Sequence, residues 1–166
     1  MVSENSASIA VIMGSDSDLD IMQHCIDQLK EFGIDPIVRI LSAHRTPDLA
    51  AQFADSAVSS GIKVIIAAAG MAAHLAGSLA GRTPLPVIGV PLVSGSLGGV
   101  DALLSTVQMP PGVPVATMAV GKAGAKNAAL FAVQILALND ESLGEELASF
   151  RELQKQKVIS KDATVR

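Results

Sequence analysis

Five short apolar runs, each separated from the next by a stretch with helical spacing, constrain this chain more than any other feature. Ile9-Ala10-Val11-Ile12-Met13 is continuous and ends at Gly14, the pattern of a strand buried on both faces of a parallel sheet. Ile37 to Leu41, Val64-Ile65-Ile66-Ala67-Ala68, Pro86-Val87-Ile88-Gly89-Val90 and Val113 to Val120 supply four more strands. After the first, Ser17 is placed to N-cap a helix with Asp20 three residues on, and Leu19, Met22, Ile26 and Leu29 keep one face as far as Gly33. After the second, Thr46-Pro47-Asp48 reads as N-cap, first-turn proline and first-turn acid. That helix carries Leu49, Phe53 and Ala57 on one side and stops at Gly61.

A small-residue helix ending near Gly81 follows the third strand. The fourth leads through a Gly- and Ser-rich loop, Ser94 to Gly99, into a short helix containing Ala102, Leu103 and Val107. Residues 123–138 form an Ala-rich helix, apolar around most of its circumference, which suits a core or a subunit interface. Regular alternation of strand and helix implies right-handed crossovers and a parallel sheet. The expected fold is therefore a three-layer, doubly wound, flavodoxin-like α/β domain with a five-stranded parallel sheet.

At 166 residues the chain makes one domain, expected to span 1–166 with its core at about 9–138. Beyond Asn139 the composition turns to Glu, Lys and Gln, and Leu143, Leu147, Phe150 and Leu153 mark an amphipathic helix over 140–158. Five strands already flanked by helices leave that stripe without an obvious home, so it is expected to dock on a neighbouring subunit. The composition is 49% hydrophobic but only 2% aromatic, so the core must be built from Ala, Val, Ile, Leu and Met.

A net charge of −4 argues against a general nucleic-acid binder, which needs clustered Lys and Arg to neutralise phosphates. The single cysteine, Cys25, excludes an internal disulfide and a multi-cysteine zinc site. Met1 to Ser8 lack the basic-then-apolar order of a signal peptide, and no apolar run reaches the ~20 residues of a membrane span. A cytoplasmic protein without membrane contact is expected.

In doubly wound folds ligands bind beyond the carboxyl ends of the strands. Three polar loops occupy that edge here. Gly14-Ser15-Asp16-Ser17-Asp18 offers backbone N–H groups, the Ser15 and Ser17 hydroxyls and a helix start, which suit an anion such as phosphate, while Asp18 suits sugar hydroxyls. Read without a ligand, the same residues are helix caps. Ser42-Ala43-His44-Arg45 places an imidazole, able to take and return a proton near neutral pH, beside a fixed cation. Gly70 to His74 leads a third loop of small residues toward the same edge, with His74 equally readable as a ligand contact or a structural residue. His44, His74 and the scattered aspartates make no recognisable metal-ligand spacing.

Val11 to Asp18, Ser42 to Pro47, Ala72-Ala73-His74-Leu75, and Ser105 to Pro110 followed by Gly112-Val113-Pro114-Val115 together resemble the N5-carboxyaminoimidazole ribonucleotide mutase family. The likeness runs from about Ile9 to Ala137 with the motifs in order. It implies an enzyme without cofactor, ATP or metal that moves a carboxylate from an exocyclic nitrogen, N5, to ring carbon C4 through trapped CO2. By the same resemblance His44 shuttles the proton, and Ser15, Asp18 and Arg45 hold the ribonucleotide. Ser42, Ala43, Gly70, His74 and Leu75 line the base and CO2 pocket, and the subunits assemble as a homo-octamer.

The chain departs from the family at two places: Met71 and Ala76 stand where glycine and proline are expected. If position 71 has φ > 0, a methionine there is strained by about 1 kcal/mol or more. Two other activities fit the same residues: a carboxylase using free CO2 on the uncarboxylated nucleotide, and a non-catalytic nucleotide-binding module.

Overall fold

The computed structural model describes residues 8–165, so the N-terminal stretch read above lies, apart from Ser8, outside them. The elements follow the expected alternation: β1 (Ile9–Met13), α1 (Leu19–Lys30), β2 (Ile37–Ile40), α2 (Pro47–Ser56), β3 (Val64–Gly70), α3 (Leu75–Ala80), β4 (Val87–Leu92), α4 (Val100–Val107), β5 (Ala116–Thr117), α5 (Lys122–Ala137) and α6 (Glu141–Ala163). All pairs are parallel and the strand order is β2-β1-β3-β4-β5. This is the doubly wound, flavodoxin-like arrangement, with its switch point between β1 and β3.

Side-chain alternation along the strands divides the core. Ile9, Val11 and Met13 face α1 and α5, whereas Ala10 and Ile12 face α2 and α3. The layers approach closely because their contacts are small: Ala125, Ala128, Ala129 and Ala132 form the inner stripe of α5 and have no exposed surface. At Gly89 a β-carbon would run into Thr106 and Val115, so α4 and the β5 segment close over β4 only because that residue is glycine. Cys25 is buried on the inner side of α1, and burial pushes its thiol up to about 12, so it packs as an apolar group.

Register brings three strand exits level. Met13 pairs with Ile40 on one side and Ala68 on the other. Two backbone bonds continue the ladder past the strand ends, Gly14 N to Ala68 O at 3.0 Å and Leu41 N to Met13 O at 2.8 Å. The loops after β1, β2 and β3 therefore leave the sheet side by side.

Three expectations need correction. Leu49 does not belong to the buried face of α2 but is 50% exposed; Ala50, Ala54 and the following Ala57 are buried, with Phe53 at their margin. Small residues pack closest to the sheet, and hydrophobicity alone pointed to the wrong side. The fifth strand pairs only at Ala116 and Thr117, against Ile88 and Gly89, although Val113 to Val120 is apolar enough for eight residues.

The stripe of α6 also has a home in its own chain. Leu143, Leu147 and Phe150 pack against the α1/α5 core, and the Phe150 ring lies 5.6 Å from Phe32, tilted by 53°. From Leu153, 62% exposed, the helix runs on without a buried residue. Among the described residues no helix is long and apolar enough to cross a membrane.

Candidate active site

Ser15 organises the first loop. Its backbone N–H donates to Asp18 Oδ2 at 3.0 Å while its Oγ accepts from Ser17 N at 3.4 Å, a reciprocal cap on a single 3-10 turn, Asp16–Asp18. The expected cap at Ser17 with Asp20 is thus made one box earlier; α1 itself begins without a side-chain cap. Asp18 is only 7% exposed. Burial raises its pKa, opposed by the Ser15 and Gly14 N–H groups and by the Arg45 charge. The Ser15 hydroxyl donates to Asp16 Oδ1 at 3.0 Å and, with the Ser17 N–H, holds that exposed carboxyl below its ordinary range.

The second loop is closed by its own side chains. Thr46 Oγ1 accepts from Ser42 N at 3.0 Å and donates to Ser42 O at 3.1 Å, and Thr46 N donates to the same carbonyl at 2.9 Å. Thr46 therefore binds backward into the loop and does not cap α2, which starts on Pro47. Arg45 N donates to Ser42 Oγ at 3.1 Å, and Arg45 Nη2 reaches across to Gly14 O at 3.0 Å. One guanidinium contact ties the two loops together.

The third loop is a tight turn closed by Ala73 N to Gly70 O at 3.1 Å. Met71 has φ +56° and Ala73 φ +36°, both in the left-handed region. A first turn corner at positive φ is glycine territory, so Met71 carries strain of order 1 kcal/mol. Gly70 is fixed from behind, since a β-carbon there would collide with the Ser94 side chain. His74 precedes α3 without capping it. Its Nδ1 lies 2.7 Å from His44 Nε2, with the rings edge-on at 4.9 Å between centroids. Of these two nitrogens one must donate and the other accept, so each ring constrains the tautomer of the other.

A cavity of about 490 Å³ opens between the loops. It is lined by all ten residues singled out in the sequence: Ser15, Ser17 and Asp18 from the first loop, Ser42, Ala43, His44 and Arg45 from the second, Gly70, His74 and Leu75 from the third. Arg45, Ser15 and Ser42 also border a recess of about 340 Å³ reaching Asp16 and Ile40, so the guanidinium stands between two hollows. Ser94 is the lining residue that sequence reasoning missed. Its signal was its place, just beyond the fourth strand. Among the described residues, no group of three or more His, Cys, Asp or Glu side chains converges as a metal site would.

A flavodoxin-like sheet whose switch point gathers an imidazole pair, a guanidinium and a capped turn defines an α/β protein suited to holding a small anionic ligand and moving a proton on it. The chain belongs to the AIR carboxylase family, whose model matches residues 8–157. It is similar to the N5-carboxyaminoimidazole ribonucleotide mutase of Brucella melitensis, 53% identical over 156 residues that cover 94% of this chain and 96% of the relative. The mutase of Bacillus subtilis is 54% identical over 151 residues, 91% of this chain and 93% of that one. The crystal structure of Treponema denticola PurE superposes with a TM-score of 0.86 at 31% identity, covering 95% of this chain and 98% of that one.

Proposed function

We propose that this chain is an N5-carboxyaminoimidazole ribonucleotide mutase of purine biosynthesis, with His44 as the group that gives and takes the proton. The observation that carries the reading is the meeting, in one cavity, of the His44 imidazole with the Arg45 guanidinium and the Ser15–Asp18 turn. Relatives more than 50% identical over nearly the whole chain bear that name.

The residues fit the steps of such a reaction. Protonated His44 gives its proton to N5 as the carbamate C–N bond breaks and the bonding pair returns to nitrogen, releasing CO2. Ring carbon C4 attacks CO2 and then carries both hydrogen and carboxylate. Neutral His44 removes the C4 proton, which restores the aromatic ring and returns the imidazole to its starting state. Atoms and charge balance as an isomerisation, with no co-reactant.

Arg45 and the Ser15 turn hold the phosphate, and buried Asp18 receives ribose hydroxyls. Ser42, Ala43, Gly70, His74 and Leu75 enclose the base and the CO2. A molecule without charge can be kept only by a closed, dry wall, which small residues allow the backbone to form.

The active form in this reading is a cytoplasmic homo-octamer. Its contacts would cover the apolar face of Val100, Leu104 and Val107 on α4 and the outer half of α6, all exposed in the single chain. Sedimentation as an eight-subunit particle is expected; a monomer would refute it.

The direct test compares initial rates on N5-carboxyaminoimidazole ribonucleotide with those on the uncarboxylated nucleotide plus bicarbonate. Fast turnover of the first alone is expected. Turnover of the second alone would make the protein a carboxylase, and binding without turnover of either would make it a binding module.

A further inference from the structure

We infer that Met71 caps the mouth of the cavity and retains CO2 between its release and its recapture, an assignment that rests on the mutase reading above. Met71 lines the cavity yet is 60% exposed, so its side chain stands at the opening. It is the only exposed methionine among the described residues; Met13 and Met22 are buried, and Met109 and Met118 are half-buried.

An exposed thioether gains nothing for folding, and this one sits at a φ of +56° that glycine would adopt without strain. A strained residue persisting at a ligand cavity points to a use for its side chain. The base of the turn is held by the sheet, because Gly70 pairs with Leu92 and Ala73 is tied to Gly70 O. Only the tip, with Met71 and the short Ala72, is free to lie over the ligand.

Methionine suits that position chemically. Three rotatable bonds and a polarizable, apolar end let it follow a ligand surface and exclude water without offering a hydrogen bond. His44 and His74 line the same cavity and are themselves exposed, so water is excluded from them only when the tip lies over a bound ligand. Uncharged CO2 has no electrostatic tether, so an apolar cover over the opening adds to the dry wall that keeps it near the nucleophilic ring carbon.

Loss of the cap should appear as leakage: uncarboxylated nucleotide released per molecule of rearranged product, measured in single-turnover experiments with the carbamate substrate. Three variants separate cap from strain. Met71→Gly should raise this ratio severalfold while raising the melting temperature by a few degrees, because strain is relieved as the cap is lost. Met71→Ala should leak similarly without the gain in stability, and Met71→Leu, which restores an apolar side chain of similar length, should bring leakage back near the wild-type ratio. An unchanged ratio in both the glycine and alanine variants, with rearrangement intact, would overturn the cap and leave the mutase reading standing. Failure of the wild-type protein to form rearranged product would overturn the mutase reading and the cap with it.

Discussion

The second and third strand-exit loops face each other across one cavity and are held in opposite ways. In the second, Ser42 and Thr46 bond each other through side chains and backbone, Arg45 leans on both Ser42 and Gly14, and no residue has a positive φ. The third has one closing backbone bond, two non-glycine residues at positive φ, and an exposed methionine at its tip. Groups that must meet a substrate at fixed distances belong on the braced loop. A group that must let substrate in and then cover it belongs on the loop with least holding it. His44 and Arg45 occupy the first kind of position and Met71 the second, and the 2.7 Å contact from His74 to His44 joins the two.

That contrast can be broken at the braced side by degrees. His44→Asn removes the proposed proton carrier but leaves the loop's backbone and Thr46 bonds in place. Turnover should fall by roughly two to four orders of magnitude, with nucleotide affinity near that of the wild type by calorimetry; near-normal rates would remove His44 from the mechanism. Arg45→Ala removes the proposed charge-assisted phosphate contact, worth roughly ten- to hundredfold in dissociation constant. Unchanged affinity would place the phosphate elsewhere.

Thr46→Val keeps the shape and deletes both hydroxyl bonds, leaving the Ser42 N–H without its partner. Denaturant unfolding should show a loss of about 1–2 kcal/mol, opposite in sign to Met71→Gly. A stability equal to wild type would mean that the bracing is not energetic. On stability, Asp18→Asn should have the smallest effect, visible in its pH dependence. The folded pKa of Asp18 is raised above 3.8, so the native state holds its proton longer than the unfolded chain, and stability falls as pH rises through the range just above that value. In the asparagine variant this part of the slope in melting temperature should vanish; an unaltered slope would assign it to other groups.

The fold was open to reading because its signals are local and repeat: each apolar run is followed by a turn and a helical period, and parallel topology follows from that alternation. What resisted reading depends on distances between segments. Ser15-Asp16-Ser17-Asp18-Leu19-Asp20 contains two overlapping capping boxes, and nothing local decides between Ser15 with Asp18 and Ser17 with Asp20. Thr46 has the composition of a cap, yet Ser42 four residues earlier offers it a better pair of bonds.

Leu49 was placed inward by hydrophobicity, whereas the tight sheet contact selects Ala50 and Ala54. The apolar stretch Val113 to Val120 pairs with its single neighbour, β4, only at Ala116 and Thr117, and beyond them Met118 N and Gly121 N still donate to Gly89 O and Pro91 O. The inner half of α6 found Phe32, a partner more than a hundred residues away that helical periodicity cannot reveal. The three loops were legible as a group because the strand-end rule gathers them, but the contact between His44 and His74 spans thirty residues and needed the register of β1, β2 and β3 to bring it about.

The central claim is that the carboxylate travels from nitrogen to carbon inside this cavity without mixing with solvent. Supplying N5-carboxyaminoimidazole ribonucleotide with an isotopically labelled carbamate carbon, in a large excess of unlabelled bicarbonate, tests it most directly by the mass of the product. The account predicts that the label is kept almost completely in the new C4 carboxylate. A product carrying the unlabelled carbon of the bicarbonate pool would contradict it.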